Sequence, residues 1–218
     1  MRTSWIFLLI CAAIAASLSV IYIHFNHYAD TVMLACIIIF CFMAKNHENI
    51  KHIAALLLIM TAIEYGLVSY VVSLNSMGLP PFQGNLLMFG SHFLVDLTIL
   101  MIMKYRVRLS LRYVRRTAPD NWRSIYMTHA DPILYGIYFA FILVDLAAFG
   151  ENIIRNLEHF GVDESFAKQF WSWGLIYYNY EILKSILLSC VVTTILATIF
   201  VERQRPDTPD EELESEPK

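Results

Sequence analysis

The chain has 218 residues, 57% of them hydrophobic and only 16% charged, with a formal net charge of −3. Soluble domains run nearer 45–50% apolar and about 25% charged, so this composition excludes an ordinary water-soluble domain and points to a membrane protein. The net charge averages a basic block and an acidic tail that act separately, and as a total it implies no class of partner.

An apolar run over residues 5–23 opens the chain. Ala13-Ile14-Ala15 has the small-residue pattern of a signal-peptide cleavage site, yet apolarity continues through Val20, Ile21, Tyr22 and Ile23, which favours a retained first helix. A polar turn, His24 to Asp30, leads to a second apolar run over 31–44. A third helix is expected over 52–74 with Glu64 near its middle, closed by the uncharged turn Gly78-Leu79-Pro80-Pro81, where proline blocks continuation. A fourth is expected over 85–104 and carries His92 and Asp96. The loop over 104–130 that follows holds Arg106, Arg108, Arg112, Arg115 and Arg116. Asp131-Pro132 is a helix-start signal for a fifth segment over 131–150. Phe170, Trp171, Trp173, Tyr177, Tyr178 and Tyr180 form an aromatic belt before a sixth segment over 182–201. Whether that belt is a separate interfacial helix or the start of the sixth segment stays open. Residues 203–218 are acidic and proline-rich, and a disordered tail is expected there.

About 20 apolar helical residues cross the ~30 Å hydrocarbon layer. The fold class that follows is all-α: a polytopic integral membrane bundle of six transmembrane helices over residues 1–202. Lysine and arginine set its sidedness. The connections after helices one and three contain none, whereas those after two and four contain two and seven. Both termini are therefore expected in the cytoplasm. Compact loops without a glycosylation sequon suit a multi-pass protein of a plasma membrane, naturally a bacterial inner membrane.

An ionisable side chain at mid-bilayer costs about 2.5–3.5 kcal/mol even on lenient scales, so it faces protein or water and finds a partner. Glu64, His92 and Asp96 are candidates for a proton or cation relay. With the spans above, Glu64 lies about 18 Å from the cytoplasmic end of its helix and Asp96 about 12 Å from its own. Asp145 and Lys184 lie about 6–8 Å from the opposite face, at staggered depth from the other carboxylates. Asp145 and Lys184 are expected to form a structural ion pair, His92 and Asp96 share a helix face, and Glu64 has no basic residue at its level. Arg106, Arg108, Arg112, Arg115 and Arg116 are expected to contact anionic lipids or a partner. Nucleic acid is not implied, because the arginines sit directly against a membrane segment.

No metal or cofactor is called for: the four cysteines all lie in apolar runs without zinc-like spacing. Nucleophile-elbow, zinc-protease and phosphate-loop motifs are lacking, so a membrane enzyme ranks third behind two other functional classes. Two functional classes lead. One is a small channel or carrier for a proton, cation or small solute that uses the intramembrane carboxylates. The other is a non-transporting sensor or anchor, alone as a homo-oligomer or as a subunit, recruiting a cytosolic partner through the basic loop and acidic tail.

Overall fold

The computed structural model describes residues 2–24, 29–44 and 47–203. Among them the fold is all-helical, without strands. The helices are α1 Arg2–His24, α2 Ala29–Met43, α3 Glu48–Ser76, α4 Pro81–Thr117, α5 Ala130–Arg155, the single turn α6 Glu164–Ala167, and α7 Leu175–Arg203. Four helical segments are long and apolar enough to cross a membrane: Glu48–Ser76, Pro81–Thr117, Ala130–Arg155 and Glu164–Arg203, of which α7 is the continuous part. α1 and α2 contribute the shorter apolar stretches Ala12–Ile21 and Leu34–Met43 among the described residues.

Several boundaries differ from those read in the sequence, and three of them bear on the buried polar groups. α4 does not stop at 104 but continues through the basic block to Thr117. Arginine, leucine and lysine are good helix formers, and no glycine or proline interrupts them before Pro119. α5 runs on past 150 to Arg155. α7 starts at Leu175 rather than 182, so Tyr177, Tyr178 and Tyr180 belong to its first turns, whereas Phe170, Trp171 and Trp173 precede it. Glu151 of α5 explains that start. Its Oε2 accepts from the backbone N–H groups of Ile176 (2.9 Å) and Tyr177 (2.7 Å), and a carboxylate there suits the positive end of the helix dipole. The acidic tail expected over 203–218 lies, beyond Arg203, outside the described residues.

The turn between α3 and α4 is tight. Gly78 has φ +99°, a left-handed conformation that favours glycine. At Gly84 a Cβ would come within 2.1 Å of Asn75 Oδ1, so the glycine lets the two helices meet just past the turn. α4 packs between α3 and α5, α5 against α7, and α7 against α1 and α2, with α2 also against α3. The core between them is apolar: Ile53, Leu57, Ile99, Leu134, Phe141 and Ile195 are each 1% exposed or less. Large apolar side chains such as Ile59, Leu94 and Leu143 are meanwhile exposed by half or more on the outside. Contiguous apolar surface of this kind suits a bundle surrounded by lipid.

Two buried polar clusters interrupt this core. One lies toward the end that carries the arginines, here the basic end. The other lies toward the opposite, aromatic end.

Candidate functional site

The cluster toward the aromatic end is built around Lys184. Its Nζ lies 2.9 Å from His92 Nδ1, 3.2 Å from Glu64 Oε1, 3.3 Å from Asp96 Oδ2 and 3.9 Å from Asp145 Oδ1. One amine thus joins α3, α4, α5 and α7. His92 Nδ1 also lies 2.7 Å from Glu64 Oε1. Tyr180, one helical turn before Lys184, donates its hydroxyl to Asp145 Oδ1 at 2.7 Å. The rings of Phe141 and Tyr180 lie 5.2 and 5.7 Å from Nζ and close the site with cation–π contacts.

Helix register explains the convergence. Counting from the aromatic ends of the observed helices at 1.5 Å per residue, Glu64 is about 18 Å deep, His92 about 16 Å, Asp145 about 15 Å and Lys184 about 14 Å. The depths expected from the sequence are thereby corrected for Asp145 and Lys184, which lie within about 4 Å of Glu64 and His92, while Asp96 stays one turn deeper at about 22 Å. The reason is the longer α5 and α7, whose added turns push Asp145 and Lys184 inward. Glu64 accordingly does not lack a cation, since Lys184 and His92 both reach it. Nor is Lys184 reserved for Asp145, which is the most distant of its four partners. His92 turns to Glu64 rather than to Asp96 on its own helix.

The charges of this layer are unequal. Three carboxyl groups face one lysine and one imidazole, so the cluster is neutral only when it also holds dissociable protons. Asp145 Oδ2 is buried without a hydrogen-bond partner. His92 Nδ1 has two neighbours but one lone pair or one proton. It either donates to Glu64 or accepts from Lys184, and the tautomer decides which bond exists. Glu64, His92 and Lys184 keep 16%, 11% and 10% of their side-chain surface open, while Asp96 and Asp145 are closed at 2% and 0%. A proton arriving at the open members has acceptors one step further in.

The second cluster centres on Arg106, which the sequence assigned to lipid or partner contact. That assignment is corrected: its side chain is fully buried. Nε donates to Asp131 Oδ1 at 2.7 Å, and Nη2 forms a short bond to Asp131 Oδ2. Nη1 donates to Asn49 Oδ1 at 2.8 Å, and Nη2 also donates to the Tyr126 carbonyl at 2.7 Å. Asp131 in turn accepts from Thr128 N and Oγ1 at 2.7 and 2.9 Å, which fixes the start of α5. Arg108, Arg112, Arg115 and Arg116 are exposed, as expected of the basic face. The signal that separates Arg106 from them is phase. It lies on the buried stripe of α4 with Met103, Ser110 and Val114.

Among the described residues no group of three or more histidine, cysteine or acidic side chains is arranged to hold a metal ion. What fold and site define together is an all-helical bundle with membrane-length helices and a charged layer inside it. No protein-family model, curated protein or solved structure matches the chain.

Proposed function

We propose that the chain is a six-span protein of a plasma membrane, a bacterial inner membrane, with both termini in the cytoplasm, and that it moves protons, alone or coupled to a small solute, through the Lys184 layer. The observation that carries this reading is the sharing of one buried amine among Glu64, His92 and Asp96, with Asp145 next to it. Ionisable groups in a bilayer interior are costly and mark ion or proton pathways. This group has more acceptors than fixed cations, so protons must enter and leave it as its state changes. Lys184 already fills the centre that a metal cation would need, which favours the proton as the moving species. The arginine-rich face then marks the cytoplasmic side.

The second reading, a sensor or anchor, has one observation in its favour. Between the Lys184 layer and the basic end the bundle is packed with buried apolar side chains, and Arg106, bonded through each of its nitrogens, closes that end. A site that senses the outside without passing anything inward would look the same. Proteoliposomes with a trapped pH dye separate the two. A carrier gives a proton flux under an imposed gradient or with its solute, and this flux vanishes in Glu64→Gln while the variant still folds. A folded wild-type protein that produces no flux under any gradient, and whose activity in cells survives Glu64→Gln, belongs to the second reading.

A further inference from the structure

A groove of about 330 Å³ runs between the first turns of α3 and the last turns of α4. Ala55, Leu56, Ile59 and Leu109 form its apolar wall, and Lys51, His52 and Tyr113 stand at its mouth. Ser110 lines it as well; this residue is 2% exposed, and its Oγ is buried without a hydrogen-bond partner. A buried hydroxyl left unpaired is destabilising, so an empty groove is an unfavourable state for Ser110. From Lys51 to Ile59 the wall extends about 12 Å into the bundle side. The groove is thus apolar along its length, polar at one buried point and cationic at the mouth.

We propose that this groove binds an anionic phospholipid of the leaflet at the basic end. One acyl chain lies along Leu56 and Ile59, Ser110 Oγ donates to an ester oxygen, and the phosphate meets Lys51 at the mouth. Charge complementarity selects this occupant. Lys51 stands at the mouth, the exposed Arg116 follows Tyr113 by three residues on α4, and Glu48 is the acid beside Lys51, paired to it at 3.4 Å. That pair is exposed on both sides, and such pairs contribute little, so Lys51 can exchange Glu48 for a phosphate at small cost. Glu48 also approaches His52 Nε2 at 3.7 Å, while the His52 ring stands edge-on to Tyr113 at 5.4 Å. Tyr113 and His52 thereby hold the mouth in shape. The inference needs a membrane around the bundle but is independent of whether the Lys184 layer moves protons.

The test is a native mass-spectrometry titration of the full chain in detergent, with dioleoylphosphatidylglycerol, dioleoylphosphatidylcholine and inorganic phosphate as probes. Phosphatidylglycerol should bind about tenfold more tightly than phosphatidylcholine, the contribution of one to two basic residues. Lys51→Ala should remove most of that preference, Ser110→Ala should weaken both lipids, and Glu48→Gln should tighten phosphatidylglycerol. Lys104→Ala, a basic residue outside the groove, should change nothing. Ala55→Phe should block the groove; if that variant does not fold, Lys51→Ala and Ser110→Ala, both at its rim or wall, decide alone. Equal retention of the two lipids, or full preference in Lys51→Ala, overturns the proposal. Displacement of phosphatidylglycerol by phosphate alone would make the groove a free-anion site and overturn it too.

Discussion

The two buried clusters hold their cations in opposite ways. Arg106 faces one carboxylate, and its fork is matched by Asp131, Asn49 and the Tyr126 carbonyl, so each of its nitrogens has a partner. Lys184 faces three carboxyl groups and an imidazole, and its three N–H bonds cannot serve four acceptors at once. A guanidinium stays charged in any protein and its plane fixes the geometry. An ammonium on a flexible stem can turn from one acceptor to another. The first cluster is therefore a lock between the start of α5 and its neighbours, and the second is a site whose bonds can be exchanged. Buried charge alone does not separate the two clusters; the count of acceptors against donors does.

The comparison can be broken by measuring unfolding in detergent. Arg106→Met should have the largest effect, about 3–5 kcal/mol, because it strands the Asp131 carboxylate in the bundle. Arg106→Lys should recover only part of this, since an ammonium cannot span the fork. Lys184→Met should cost less, about 1–3 kcal/mol, because the carboxyl groups left behind can take up protons and bond to one another. A larger loss for Lys184→Met than for Arg106→Met would reverse the roles assigned to the clusters. Tyr180→Phe removes one hydrogen bond to Asp145 and should cost about 1 kcal/mol. Arg115→Ala, on the exposed face near Trp122, should leave the melting temperature unchanged.

Much of the fold was legible because its signals are long and local. The apolar runs, the Pro80-Pro81 turn and the Asp131-Pro132 start all stand in the sequence, and the helices they announce are present. Glu64, His92, Asp96, Asp145 and Lys184 were each visible as ionisable groups in apolar surroundings. Their meeting was not. It depends on where α5 ends and α7 starts, and the start of α7 is capped by Glu151 from another helix, a contact with no sequence spacing to reveal it. A few residues of error at each end moved Lys184 out of the layer that contains Glu64. Arg106 was misread for a related reason, because it was counted with a basic run when its position on the buried stripe of α4 sets it apart.

Infrared difference spectroscopy on the reconstituted protein, recorded across a pH step, addresses the exchangeable site most directly. A carboxyl C=O band should appear on acidification, shift in deuterium oxide, and be lost or altered in both Glu64→Gln and Asp96→Asn. It should persist in Asp131→Asn if that variant folds, because Asp131 stays paired with Arg106. A protein that shows no carboxyl band at any pH, or one whose band is untouched by Glu64→Gln and Asp96→Asn, would mean that the Lys184 layer is as fixed as the Arg106 lock.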